Sequence, residues 1–582
     1  MQAWRKLFIS AAFVAAVPGW ALAQQQTTQA TSAVDQVVDR ITAREQREVA
    51  QIRQTSPLIE TYIQDMRPDP DMGAVPVKDH YFLGLADFTK GIVDRSLLDP
   101  PKGSKSKFNP IGPLAHIGDM FGSGYEPAGF LQMVFVDSNG FDRQHYHFEF
   151  VRREFLGEVK CLVFDVAPLP KSGKGRFKGR IWANDQDYTI VRFNGIYIPT
   201  ENYNGLSVHF DSWRTNMQPG IWLPTYVFSQ EQNPKEALGG KVRFRSQTRL
   251  WGYDLKNASH ASEFSELTIE APGAIQDQAQ ASQDPTPVEA ERKWHHEAED
   301  NVLDRLQRSG LIAPPGPVDK IMMTVVNNLE VTNNIDIQPE IRCRVLLTST
   351  LESFSIGHTI VLSRGLLDVL PDEASLATML AQEMANLIVS KPQTDQWGFN
   401  DLTNISTTEI IQRMSFRDSP HDIELANQKS VELIKNSPYK DKLATTGLFL
   451  KQLDASEKSL PALINAKLGN KIFMTAALAN AAPALNQQKL DQIAALPLGA
   501  RIKLDPWSDR VEMVSVKAVA LINEREKMPF AVTPFQPFLS YYKKPDASAP
   551  STQPAKADVA KSQADPNQST PVHQDPQPQP QQ

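Results

Sequence analysis

The stretch "LATMLAQEMANLIVSK", Leu376 to Lys391, carries Gln382, Glu383 and Asn386 within an otherwise apolar run. At 100° per residue, Leu376, Met379, Leu380, Glu383 and Leu387 fall on one arc, with Gln382 and Asn386 along its edge. The polar trio therefore borders the stripe that faces a core. Burying a carboxylate between two amides is costly unless the group is hydrogen-bonded or lines a cavity. The helix predicts either a satisfied network or a site. Asp372-Glu373 after Pro371 suits its start, and Lys391-Pro392 suits its end. The spacing i, i+1, i+4 is the one at which two histidines on a helix hold zinc and a glutamate activates water. Here the spacing is present and the histidines are not.

Around this helix the pattern changes twice. Val34, Val37, Val38, Ile41, Val49 and Ile52 recur at helical spacing. Strand-like runs then follow one another across residues 70–260, separated by turn signals such as Asp137-Ser138-Asn139-Gly140, Asn184-Asp185 and Asn204-Gly205. Short connections between successive strands mean antiparallel pairing, so this span predicts one large curved sheet or open half-barrel. Residues 271–288 have linker composition, and from about 289 the pattern is mainly helical, with a hairpin at 499–522 turning at Asp505-Pro506. The fold class expected is multidomain α+β, an antiparallel open β-barrel or half-barrel followed by a mainly helical domain. The boundaries expected are 33–270 for the β domain, 289–543 for the helical one and 544–582 for a Pro/Gln-rich tail too poor in apolar residues to fold.

The run "LESFSIGHTIVLSRGLLDVLPDEASLATMLAQEMANLIV" resembles the core of the CAAX-prenyl-protease/HtpX/BepA-type zinc metallopeptidases, whose helix carries His-Glu-x-x-His. The likeness rests on Gly365-Leu366-Leu367, Asp372-Glu373, Leu376-Ala377, Leu380-Ala381 and Glu383, after the helix "VDKIMMTVVNNLEV" and the strand "IRCRVLLTS". It implies that Glu383 stands where the family has its general base. It also implies that Gln382 and Asn386 stand where two ligand histidines would be. The family's third ligand, a Glu in Glu-x-x-Ala-Asp, aligns on Ala426 with Ile423, and its Asp with Asn427. Asp422 and Glu424 flank that position as substitute ligands. The Asn-Ala pair ahead of the family's substrate strand aligns with Glu352-Ser353, and His358, Ile360 and Leu362 mark the strand expected to line a binding groove. Amide oxygens are poor zinc ligands, and without zinc no bound water is made acidic for Glu383 to activate. No cofactor is expected on this reading, and zinc only if other ligands serve.

Residues within 33–270, including "GRIWANDQDYTIVRFNGIYIP", resemble LolA-like lipoprotein-sorting domains, in which an incomplete antiparallel barrel capped by helices accommodates acyl chains or partner segments. The N-terminus reads as a signal peptide over 1–23, with Arg5 and Lys6, an apolar run from Leu7 to Trp20 and Ala21-Leu22-Ala23. No later stretch has the roughly 18 apolar residues of a transmembrane helix, so export to the periplasm without a transmembrane anchor is expected. Loss of Arg5 and Lys6 takes the formal charge from −7 to −9, which argues against nucleic acid as a partner. Cys161 and Cys343 are expected free and buried. In "KWHHEAED", His295, His296 and Glu297 are expected on a solvated face, with Trp294, Ala298, Val302 and Leu306 on the apolar side.

Three functions stay open. One is a catalytically silent envelope scaffold that binds extended polypeptide segments or lipoproteins. Another is an active zinc metalloendopeptidase working through Asp422 or Glu424. The third is a lipid or lipoprotein carrier acting through the β domain.

Overall fold

Ten strands pair antiparallel into a single sheet: β1 (Leu58–Asp69), β2 (Gly73–Asp87), β3 (Val93–Ser96), β4 (Tyr146–Leu156), β5 (Val159–Pro168), β6 (Phe177–Asn184), β7 (Ile190–Tyr197), β8 (Ser207–Gln218), β9 (Ile221–Gln232) and β10 (Val242–Trp251). Their order is β3-β2-β1-β10-β9-β8-β7-β6-β5-β4. Strands adjacent in sequence are adjacent in the sheet, as short turns require, except β3 and β4, which stand at its two ends, while β1 pairs with β10. The sheet is open, ending at β3 and β4 among the described residues. The computed structural model describes residues 33–69, 73–88, 93–97, 125, 127–138, 140–173, 175–198, 207–232, 242–253, 286–389 and 416–472, with short pieces at 502–504, 510–513, 532 and 539–542. The signal peptide and the tail beyond 543 lie outside these residues, as does most of the 271–288 linker.

Helix α1 (Ala33–Ile52) lies on one face of the sheet because Val38, Ile41, Val49 and Ile52 form one stripe along it. Together with the chain over 127–141, which begins with helix α2 (Pro127–Gln132), it buries Ile63, Phe164, Ile181, Phe193 and Phe244. Glu45 falls on the same stripe and is rescued by Arg214, which donates to it at 2.6 and 2.7 Å from a fully buried position on β8. Val34, at the start of the helix, is 44% exposed and takes no part in this packing.

The opposite face buries Tyr62, Trp182, Trp213, Trp222 and Trp251 in a core continuous with that of the helical half. That half contains α3 (Pro287–Arg308), α4 (Pro317–Asn333), α5 (Arg364–Val369), α6 (Glu373–Val389), α7 (Pro420–Lys435), α8 (Leu443–Ser456) and α9 (Pro461–Ile464). A four-stranded sheet runs through it in the order β11-β13-β12-β14, from β11 (Arg342–Leu346), β12 (Glu352–Ile356), β13 (Thr359–Ser363) and β14 (Asn470–Lys471). A further antiparallel pair, β15 (Ile502–Leu504) and β16 (Val511–Met513), falls within the span 499–522, while the turn expected at Asp505-Pro506 lies outside the described residues.

Two buried carboxylates tie the halves together. Glu60 on β1 accepts from Tyr81 Oη at 2.8 Å and from Ser349 Oγ at 2.7 Å, with Arg364 Nη2 at 3.5 Å. Asp79 on β2 accepts from the backbone N–H groups of Ala462 and Leu463 at 2.8 and 2.9 Å. The described residues of the two halves share this seam and the core around it. On α3, Ala298, Val302 and Leu306 are buried as expected, whereas Trp294 is 57% exposed and does not belong to the apolar side.

Candidate functional site

Helix α6 is buried along nearly its whole length, from Ala374 to Asn386. Asp372 caps it, its Oδ1 accepting from Ser375 N at 2.9 Å. Just before it, Gly365 lies so close to the Ser349 carbonyl that a Cβ there would sit 2.0 Å from the oxygen, so the Gly-Leu-Leu turn admits glycine alone. Helix α7 packs against α6, starting at Ser419, whose Oγ accepts from Asp422 N at 3.2 Å, with Pro420 in its first turn.

Between the two helices and strands β12 and β14 lies a small cleft of ≈ 20 Å³, room for about one water molecule, lined by Ser353, Gln382, Glu383, Asn386, Ile423, Ala426, Asn427, Asn470 and Lys471. The structure thus brings Gln382, Glu383 and Asn386 to Ile423 and Asn427. It does not bring Asp422 or Glu424 with them. On a helix these two sit about 100° to either side of Ile423. Asp422 accepts from Ser419 Oγ at 2.8 Å, and Glu424 accepts from Gln428 Nε2 at 3.1 Å on the surface.

Glu383 is 2% exposed and hydrogen-bonded. Its Oε1 accepts from Ser353 Oγ at 2.6 Å, and Asn386 Nδ2 lies 3.5 Å from Oε2. Burial pushes its carboxyl up to about 7, helped by the negative charge of Asp418, while the bonds from Ser353 and Asn386 pull it down. Asp418 is itself raised, chiefly by burial, and accepts from Asn470 Nδ2 at 2.6 Å. Asn386 Oδ1 is buried and has no hydrogen-bond partner.

The strand ahead of the site does two jobs. Ser353 reaches Glu383, while the neighbouring Glu352 turns its Oε2 onto the backbone N–H groups of Lys467, Leu468 and Gly469 at 2.9, 2.8 and 3.0 Å. This fixes the turn that delivers Asn470 and Lys471 to the cleft. Asn470, Lys471 and Asp418 carried no signal in the sequence, because nothing in their local pattern ties them to a helix that lies far upstream along the chain.

The groove strand expected at His358, Ile360 and Leu362 must be corrected. Strand β13 is interior to its sheet, paired with β11 on one side and β12 on the other, and Ile360 and Leu362 are fully buried. Its backbone groups are committed, so it cannot accept an added strand. The outer side of β11 is also covered, Ala313 N donating to Val345 O at 2.9 Å and Leu347 N to Leu311 O at 2.8 Å. His358 faces Glu299, with Nδ1 at 3.0 Å from Oε1, away from the cleft. His296 is near Glu299 and Asp300 on α3.

The donor set of the cleft does not fit zinc. Its lining offers amides, a hydroxyl and one carboxyl, and among the described residues no three His, Cys, Asp or Glu side chains gather to hold a metal. Cys161 and Cys343 are free and buried, and burial pushes the Cys161 thiol up to about 12. Among the described residues, no helix is long and apolar enough to cross a membrane.

No protein-family model matches the chain, and no curated protein does. Several solved structures match over part of it. A LolA superfamily protein from Nitrosomonas europaea is 12% identical, covering 38% of this chain and 94% of that one, with a TM-score of 0.18. A DUF1329 family protein from Desulfovibrio piger is 10% identical, over 38% of this chain and 94% of that one, with a TM-score of 0.17. A putative outer membrane lipoprotein-sorting protein domain from Vibrio parahaemolyticus is 12% identical, over 38% and 97%, with a TM-score of 0.17. At TM-scores this low the likeness decides nothing about what this chain does.

Proposed function

We propose that the chain is an exported cell-envelope protein that binds partner segments without cutting them, its peptidase-like half holding no zinc. One observation carries this reading. The three positions aligned with the family's metal ligands, Gln382, Asn386 and Ile423, meet Glu383 in one cleft and present two amides and a hydrocarbon. The carboxyl that would act as base accepts a hydroxyl proton from Ser353 instead of facing a metal-bound water. Changes at all three ligand positions, on a frame that still gathers them, fit a dismantled site better than an altered one.

The signal-peptide pattern at 1–23 and the LolA-like pattern within 33–270 supply the envelope setting. A carrier of acyl chains needs a free apolar sheet face. Among the described residues α1 and the 127–141 chain pack on one face and the helical half on the other, leaving mainly the edge strand β4 exposed, with Phe150 and Phe155 among its exposed side chains. This packing supports giving partner recognition to the helical half in the present reading.

The test is cleavage of an unfolded polypeptide such as casein, with zinc added, by the wild-type protein and by Glu383→Gln. No cleavage by either is expected. Cleavage by the wild type that disappears in the variant would make the protein a working endopeptidase and end this reading.

A further inference from the structure

We propose that the free edge of strand β4 is the interface of a two-fold dimer, in which β4 pairs antiparallel with β4 of a second copy of this chain. The inference is independent of the cleft and of the metal-free reading above.

Strand β4 ends the ten-stranded sheet and has one neighbour in it, β5. Over its 11 residues, Tyr146–Leu156, one row of backbone N–H and C=O groups is left unpaired among the described residues, which is a template for a further strand. Side chains add to that template. Phe150 and Phe155 are 44% and 67% exposed, and large apolar groups left open along a sheet edge mark an association surface.

The order of charge along β4 selects a second copy as the occupant. Pairing with β5 sets the faces: Glu149 lies opposite Asp165 and Arg152 opposite Val163. Asp165 and Val163 are two apart on β5, so Glu149 and Arg152 project from one face. The bulge between Phe150 and Arg152 brings this about, with Val151 as the extra residue. Phe148, Phe150, Arg153 and Phe155 stand on the other face, opposite Val166, Phe164, Leu162 and Lys160.

A two-fold axis at Phe150 then sets Glu149 of each copy against Arg152 of the other, and His147 against Glu154. On the opposite face the two Phe150 rings meet, and Arg153 of each copy falls beside Phe148 of the other. Moving the axis by one residue sets Glu149 against Glu149 or Arg152 against Arg152, and like charges directly opposite are destabilising. The strand is therefore self-complementary in this register. Glu149 is exposed, with no ion-pair partner among the described residues. Arg152 is held by Glu154 at 2.7 Å on the surface and is open to a second carboxylate. Bulges and charges usually blunt an edge against foreign strands. Here the same features fix one register for the chain's own copy.

The test is analytical ultracentrifugation of the full chain over a concentration series. A reversible monomer–dimer equilibrium is expected for the wild type. Glu149→Arg and Arg152→Glu should each weaken the dimer about tenfold or more, because both ion pairs become like-charge contacts. An equimolar mixture of the two variants should recover it, since each chain then meets the opposite charge, and so should the double variant. Phe150→Asp, at the axis, should weaken the dimer with no rescue by mixing. These side chains are exposed, so far-ultraviolet circular dichroism should match the wild type in every variant. A dimer indifferent to the charge reversals, or folded single variants whose mixture does not associate, would overturn the proposal. So would a wild type that stays monomeric at every soluble concentration, which would leave the edge to a segment of another protein.

Discussion

Ser353 Oγ lies 2.6 Å from Glu383 Oε1 and donates its proton to it, across the gap between strand β12 and helix α6. The bond joins residues 30 positions apart and gives the buried carboxyl a partner inside the protein. It holds the carboxyl in place, while Asn386 Oδ1 beside it is buried with no hydrogen-bond partner.

Removing that donor should show in the pH dependence of stability. In Ser353→Ala, Glu383 keeps its burial and loses its closest hydrogen bond, so its carboxyl should rise above the value of about 7 found in the wild type. Unfolding in urea at pH 8 should show a loss of about 1–2 kcal/mol, and the loss should shrink at pH 5, where the carboxyl is protonated.

Glu383→Gln should act in the opposite direction. The folded carboxyl ionises at about 7 and the unfolded one near 4.5, so the folded state holds its proton longer. The resulting stability is present at low pH, falls as pH rises from 4.5 through 7, and is gone above that. The variant has no such proton to lose. Relative to the wild type it should gain up to ~3 kcal/mol between pH 5 and pH 8. Taking the difference cancels most other titrations, while Lys471, which lines the same cleft, and Asp418, whose charge acts on Glu383, stay in both proteins. A flat difference would mean that Glu383 is not buried as described.

Much of this helix was legible in the sequence. The arc of Leu376, Met379 and Glu383 and the helix start at Asp372-Glu373 follow from local periodicity and capping chemistry that tertiary packing did not override, while the Gly-Leu-Leu turn was legible only through the family resemblance. Strand β1 was not legible. Glu60, Thr61 and Gln64 are buried along it, so the alternation that marks a half-buried strand is missing. Their partners, Ser349 for Glu60 and Thr248 for Thr61, lie far along the chain. The groove strand failed for a related reason: sequence shows that residues 359–363 are a strand, but its place between β11 and β12 is a property of the assembled sheet.

The seam between the halves should be costly to break. Arg364 is fully buried, its guanidinium pushed down to about 10 by burial and by Arg249, and Glu60 is its counter-charge. Glu60→Ala leaves Arg364 and the hydroxyls of Tyr81 and Ser349 without their acceptor. A loss of about 3–5 kcal/mol is expected in denaturant unfolding, and the wild-type protein should unfold its two halves together when followed by Trp fluorescence and far-ultraviolet circular dichroism. Separate transitions for the two signals in the wild type would show that the shared core does not couple them.

Both cysteines should be silent toward a thiol reagent in the native protein and react once it is unfolded. Each is buried with its thiol held well above neutral pH, Cys161 at about 12. Fast reaction of either under native conditions would place it at the surface.

The central claim is that the frame of a metal site survives here with its ligands gone, and metal content tests it most directly. Purified wild-type protein and the triple variant Gln382→His, Asn386→His, Ile423→Glu should be loaded with zinc, passed through mild chelation and analysed for bound metal. The account predicts none in the wild type and close to one zinc per chain in the variant. Stoichiometric zinc in the wild type, or none in a folded variant, would contradict it.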